Sequence, residues 1–197
     1  MLKTTSVLSS MRDDAARTMA AAGLVQRLAA RDLILAEHSL ATGALAARIA
    51  HHLGLEPEEI VEASLIGTLH EVGAIIVPAP DLARLGFAAA SEVLRVQRAE
   101  RRAAVALVRA VPEIADLADA VGSVFDDVVP TMTARIVIVA DLYDYLVRSV
   151  PGRRGLSMSE AIDVLERHAG VRYDRRAVQA LRETDRTALR RQVDRRA

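Results

Sequence analysis

Two histidines and two acidic residues of this sequence stand inside apolar helical patterns, where an unpaired charge is costly: His38, His70, Glu71 and Asp141. His38 precedes Leu45 and Ile49 by seven and eleven residues, so on a regular helix it shares their inward face. His70 and Glu71 adjoin at the end of an apolar helical stretch ahead of Gly73, where two side chains can turn into a cavity without interrupting backbone bonding. Asp141 follows Ile136-Val137-Ile138-Val139-Ala140 and precedes Leu142, so most faces of its helix are apolar. Burying a lone carboxylate is costly enough that a cation or a histidine is expected beside it. Taken singly, each residue also fits a core histidine bonded to a carbonyl, or a buried aspartate capping a neighbouring helix. Together, two imidazoles and two carboxylates from three helices make a mixed nitrogen and oxygen set, suited to Mn, Fe, Ni, Zn or Mg rather than to a thiophilic ion.

Other polar groups carry less. Asp144 and Tyr145 fall three and four residues after Asp141 and so can line the same cavity, with Asp144 alternatively orienting a neighbour. His51, His52 and His168 sit near helix ends, where surface and terminal roles explain them. Arg182, Arg186 and Arg190 form a ridge that interleaved Glu183, Asp185 and Asp194 turn into a solvated helix. There is no Cys, which excludes disulfides, thiolate zinc, iron–sulfur clusters and a cysteine nucleophile. No Gly-rich phosphate loop, nucleophile elbow or helix-turn-helix pattern occurs.

The elements that must position these residues read as helices throughout. An amphipathic stripe of Leu8, Met11, Ala15, Met19 and Ala22 marks a helix over 6–30, which needs a partner surface: the rest of the chain, or the same helix of a second subunit. A second helix runs from about Leu33 to Leu53 and stops at Gly54. Pro57 with Glu58 and Glu59 opens a third, which ends near Gly73. Residues 74–80 are apolar but hostile to helix and predict an ordered buried loop. A long helix over about 88–111 exposes Arg98, Glu100, Arg101 and Arg102, and Pro112 opens a shorter one through about Val124. The most apolar helix covers 134–148 behind Pro130 and Thr131 or Thr133. Ser157 with Glu160 has capping-box spacing, and Tyr173-Asp174 begins the last core helix.

A chain of 197 residues, half of them apolar, can bury one sizeable core. We read it as a helical extension (1–30), a main domain (31–184) and a charged tail (185–197). Few aromatic residues and many Ala, Leu and Val predict an all-α class. Lys plus Arg (26) balance Asp plus Glu (26), so no nucleic-acid partner is expected. The apolar run Ile136–Ala140 is far short of a membrane span, and the polar start lacks the centre of a secretory signal, so a cytoplasmic protein without a membrane partner is expected.

Several segments carry a specific likeness. Ala30-Arg31-Asp32 ahead of His38-Ser39, then Ala46-Ala47-Arg48-Ile49-Ala50 and Leu53-Gly54-Leu55, resemble the opening of an HD-GYP domain of the HD superfamily. Leu69-His70-Glu71-Val72-Gly73-Ala74 through Pro78 is similar to that family's His-Asp, Ile-Gly-Lys and proline signature. Ala134-Arg135-Ile136 through Ala140-Asp141-Leu142-Tyr143-Asp144 matches its Ala-Arg-Ile and Ala-Asp-x-Tyr-Asp segment, and Leu156-Ser157 with Glu160-Ala161 matches the helix start beyond. Order and spacing agree over about residues 30–183.

The resemblance implies a helical bundle and a family that hydrolyses cyclic dinucleotides, chiefly cyclic di-GMP, at a two- or three-metal centre. It also implies that His38, His70 and Asp141 are ligands. Glu71 stands where the family has aspartate, its extra methylene moving the carboxylate outward by about a bond length. The signature lysine is Ala74, a middle-helix histidine falls on Ala99, and the His-His-Glu run and the Asp-Gly-x-Gly-Tyr-Pro loop are absent, with the shorter Gly122–Pro130 in that region. A degenerate member is expected, its His38, His70, Glu71 and Asp141 a vestigial or single-metal site holding one divalent ion (Mn, Fe, Ni, Zn or Mg) or none. The leading expectation is a non-catalytic signalling module with a protein partner or a homodimer, in a bacterial cyclic-dinucleotide or two-component setting. The alternatives are a single-metal phosphohydrolase acting on a nucleotide or phosphomonoester, and a receptor that binds a cyclic dinucleotide or nucleotide without turnover.

Overall fold

The computed structural model describes residues 2–77, 90–124, 130–150 and 152–194, with side chains for 12–77, 95–124, 130–150 and 152–184. Eight α-helices account for most of them: α1 (Leu2–Ala29), α2 (Leu33–His52), α3 (Pro57–Leu69), α4 (Ala90–Arg109), α5 (Ala118–Ser123), α6 (Met132–Val147), α7 (Met158–Glu166) and α8 (Arg175–Asp194). Short 3-10 turns lie at Val72–Ile75 and Pro112–Leu117. Among the described residues the only β pairings are two isolated bridges, Val150 with Arg153 and Ala169 with Tyr173, so the all-α expectation holds.

Local chemistry sets the helix limits. The Asp32 carboxylate accepts from the Leu35 N–H at 3.0 Å and starts α2. Gly54 ends that helix in the left-handed region at φ 70°, where a Cβ would be strained. Glu59 accepts from the Glu56 N–H at 3.1 Å ahead of Pro57, and Thr131 accepts from Ala134 N–H at 3.2 Å to open α6. The capping box of Ser157 and Glu160 forms as its spacing predicts. The last helix begins at Arg175, with Asp174 accepting from the N–H groups of Arg176 and Ala177.

α2 is the centre of the bundle, touching α1, α3, α6 and α8. By length and composition it alone among the described helices could cross a membrane, and half of that window is buried inside the bundle. Ile49, Ile66, Leu69, Ile136, Leu165 and Leu181 close the core around it. Its contact with α3 is backbone to backbone. A Cβ on Gly67 would lie 2.9 Å from the Gly43 Cα, and one on Gly43 would lie 2.6 Å from the Ser64 carbonyl oxygen. α4 approaches the 3-10 turn just as closely, since a Cβ on Gly73 would fall 1.8 Å from the Glu100 carbonyl oxygen.

Three expectations need adjustment. On α1 the buried face is Ala21, Leu24, Val25 and Leu28, whereas Ala15, Met19 and Ala22 of the proposed stripe are exposed; the side chains of Leu8 and Met11 lie outside the described residues. The loop expected over 74–80 begins instead within a 3-10 turn, Val72–Ile75, where Gly73 lets α4 press onto the backbone. Val77 is buried but Ile76 is exposed, and Pro78 to Pro80 lie outside the described residues. On α4, Arg98 and Arg102 are exposed, but Glu100 and Arg101 are half-buried against that turn. The part of the arginine ridge beyond Arg182 likewise lies outside the described side chains, as does the whole segment 185–197.

Candidate metal centre

The α2/α3 crossing brings His38 and His70 together, their ring centroids 5.4 Å apart and their planes at 68°. His38 lies five residues before Gly43, and His70 three after Gly67. Glu71 begins the turn beyond α3, and Asp141 enters from the buried side of α6. One donor atom each from His38, His70 and Glu71 fall within 4.8 Å of one another. Asp141 stands against this trio, its Oδ1 2.9 Å from His38 Nε2 and 3.5 Å from His70 Nε2, while His70 Nε2 lies 3.5 Å from Glu71 Oε1. All four residues singled out in the sequence therefore meet in one place.

Both imidazoles are aimed through their other nitrogen. His70 Nδ1–H donates to the Gly67 carbonyl at 2.7 Å, which turns Nε2 toward the acidic residues. His38 Nδ1–H donates to Asp144 Oδ2 at 2.7 Å. Asp144 is itself held by Arg148, whose Nε and Nη2 donate to Oδ2 and Oδ1 at 2.8 and 3.2 Å. Of the two roles open to Asp144, orienting a neighbour is the one its contacts fit. Tyr145 is half exposed with the Arg153 guanidinium 4.3 Å over its ring, and His51, His52 and His168 are exposed.

The electrostatics follow from these contacts. Burial lowers the His38 pKa, but hydrogen bonds to Asp141 and then Asp144 outweigh it and raise it to about 9. Burial likewise works against charge on His70, and the Asp141 carboxylate reverses it, with Glu71 adding to the rise. Burial pushes the Asp141 carboxyl up, yet hydrogen bonds from His38 and His70 hold it well below the usual carboxylate range. Asp144 is lowered too, His38 and Arg148 outweighing its burial. Glu100 goes the other way: burial, and then the negative charge of Glu71, raise it to about 7.

This donor set fits a divalent cation. Atoms sharing one ion at about 2.1 Å stand roughly 3–4 Å apart; His70 Nε2 lies 3.5 Å from both Glu71 and Asp141, and the donors of His38, His70 and Glu71 all fall within 4.8 Å. Ligating histidines commonly present Nε2 while Nδ1–H is held by a carboxylate or carbonyl, the pattern of both His38 and His70. Ala74 is buried and Ala99 half-buried, so neither position sends a charge toward the site. Most of the Gly122–Pro130 segment lies outside the described residues. Sequence reasoning missed Arg148, which nothing in the local pattern singles out, and Glu100, which belongs to a charge run that reads as solvated.

The sequence model of a family described as HD domain matches residues 35–149, more than half of the chain and a span that includes His38, His70, Glu71, Asp141, Asp144 and Arg148. No curated protein matches it.

Proposed function

The chain belongs to the HD domain family, a superfamily of metal-dependent phosphohydrolases, and from that premise we propose that it is a single-metal phosphohydrolase acting on a nucleotide or another phosphomonoester. His38, His70, Glu71 and Asp141 are its ligands. Bound there, a divalent cation supplies Lewis acidity toward a phosphoryl oxygen and lowers the pKa of water. The chain does the rest. Gly67 and Asp144 keep both Nε2 atoms turned inward. Glu100 is half-buried on α4, and its burial together with the negative charge of Glu71 raises it to about 7 in the metal-free chain. Within the family we place the chain near the HD-GYP branch, on the His70–Pro78 and Ala134–Asp144 segments quoted above.

The observation that carries this reading is the shared orientation of the two imidazoles. With Nδ1 of each ring held elsewhere, both Nε2 atoms face the same carboxylate, Asp141, at 2.9 and 3.5 Å, and His70 Nε2 also faces Glu71 at 3.5 Å. The test is metal analysis of protein purified without chelator, together with turnover of nucleoside monophosphates in Mn²⁺. Near-stoichiometric metal is expected, lost with all turnover in His70→Ala. Protein that takes up no Mn, Fe or Ni and cleaves nothing would refute it.

A second reading, a non-catalytic module that works by association, is favoured by a different observation. Ala15, Met19 and Ala22 turn away from the core, and Ala22 reaches a groove of about 230 Å³ lined by Thr18, Leu40, Val61 and Leu65. A second copy of the chain is the occupant this reading commits to.

A further inference from the structure

The metal reading leaves Arg148 without a role, although its contacts reach the site. Arg148 is the residue that ends α6, one turn beyond Asp144, and its side chain is largely covered. Its guanidinium grips Asp144 with two nitrogens, and its Nη1 lies 3.9 Å from Glu37 Oε2, the residue just before His38 on α2. A chain of charged contacts therefore runs from α2 to α6 and back: Glu37, Arg148, Asp144, His38. An ordinary exposed pair four residues apart on a helix contributes only about 0.3–0.5 kcal/mol and fixes nothing elsewhere. This pair differs because the Asp144 Oδ2 that Arg148 Nε holds is the atom that receives His38 Nδ1–H.

We propose that Arg148 is a positioning residue: by clamping Asp144 it fixes the rotation of the His38 ring, keeps Nδ1 as the donor and leaves Nε2 to face His70, Glu71 and Asp141. It also keeps Asp144 outside the ligand set, since both carboxylate oxygens are committed to the guanidinium fork. Lysine cannot reproduce that, because an ammonium is a point charge that holds one oxygen at a time. The proposal rests on the reading of the site as a cation site only for its effect on affinity, not for the orientation itself.

The experiment compares wild type, Arg148→Gln, Arg148→Lys and Asp144→Asn. Mn²⁺ titration by calorimetry is expected to show affinity falling roughly 10- to 100-fold in Arg148→Gln, the usual effect of removing an outer-shell partner, with partial recovery in Arg148→Lys. Asp144→Asn should fall as far, and combining it with Arg148→Gln should add little, since both break one chain. The melting temperature of the metal-free variants shows whether they fold. In parallel, proton NMR of the metal-free proteins reads the Nδ1–H of His38 directly. Its downfield signal should persist in wild type and broaden or vanish in Arg148→Gln. If Arg148→Gln binds Mn²⁺ like wild type, or retains the Nδ1–H signal unchanged, the positioning role is wrong. If wild type binds no cation, the metal reading fails by itself, and the NMR comparison alone decides the role of Arg148.

Discussion

At His38 both ring nitrogens meet carboxylate oxygens, and carboxylates only accept, so both nitrogens must carry protons in the metal-free chain. That charge is linked to stability. The His38 pKa rises from 6.5 to about 9 on folding, so its stabilising contribution is complete below pH 6.5 and is lost as pH climbs through 9. Glu100 rises from 4.5 to about 7, so its contribution is complete below pH 4.5 and lost by about pH 7. Asp141 is lowered, so its contribution is present above pH 3.8 and lost as pH falls further. In chelator the melting temperature should therefore be highest on the acid side of neutrality and fall from pH 6 to pH 9, as a thermal-shift series would read. Glu100→Gln should remove the lower part of that fall, stabilising the metal-free chain at pH 8 by about 1 kcal/mol once solvent screening is allowed for. A flat profile would contradict the assignment of these charges.

Between elements, the decisive contact is the Gly43/Gly67 crossing. Gly43→Ala places a methyl 2.6 Å from a backbone oxygen that cannot rotate away, so α2 and α3 must part. A loss of about 2–3 kcal/mol is expected in urea unfolding, with weaker Mn²⁺ binding. Gly23→Ala on α1 is the control: its Cβ meets nothing within 4 Å, and stability should rise by about 0.5–1 kcal/mol. This crossing is also what the sequence hides. Gly54, Pro57, Thr131 and the Ser157–Glu160 box are legible because a cap acts within a few residues of itself, and His38 is legible as a polar residue on an apolar face. Gly43 and Gly67 lie inside helical patterns with nothing nearby to mark them, since their reason is the other helix. Glu100 was misread for the same cause: its neighbours are arginines, and only the approach of α4 to Gly73 buries it. The stripe on α1 was real as a pattern, but Leu24, Val25 and Leu28, at a different phase, are what the core takes.

For the whole molecule, that exposed stripe bears on assembly. A stable pairing buries roughly 800 Å² from each partner. Ala15, Met19 and Ala22 are too small a patch for that, so a dimer must also use the groove beneath Leu40. If the chain works by association, light scattering across a dilution series shows a dimer that Met19→Glu dissociates without changing the melting transition; a monomer at every concentration would refute that reading. The crossing at Gly43 has a mechanical corollary as well. Any scissoring of α2 on α3 would turn about the two glycines, where the backbones touch, and at a rise of about 1.5 Å per residue His38 and His70 sit on lever arms of only about 7.5 and 4.5 Å. A 5° scissoring of the helices would shift His38 by roughly 0.7 Å, while the far end of α2 swings about twice as far. Breathing of the bundle is thus felt at its periphery, and the pair of imidazoles rides near the still point.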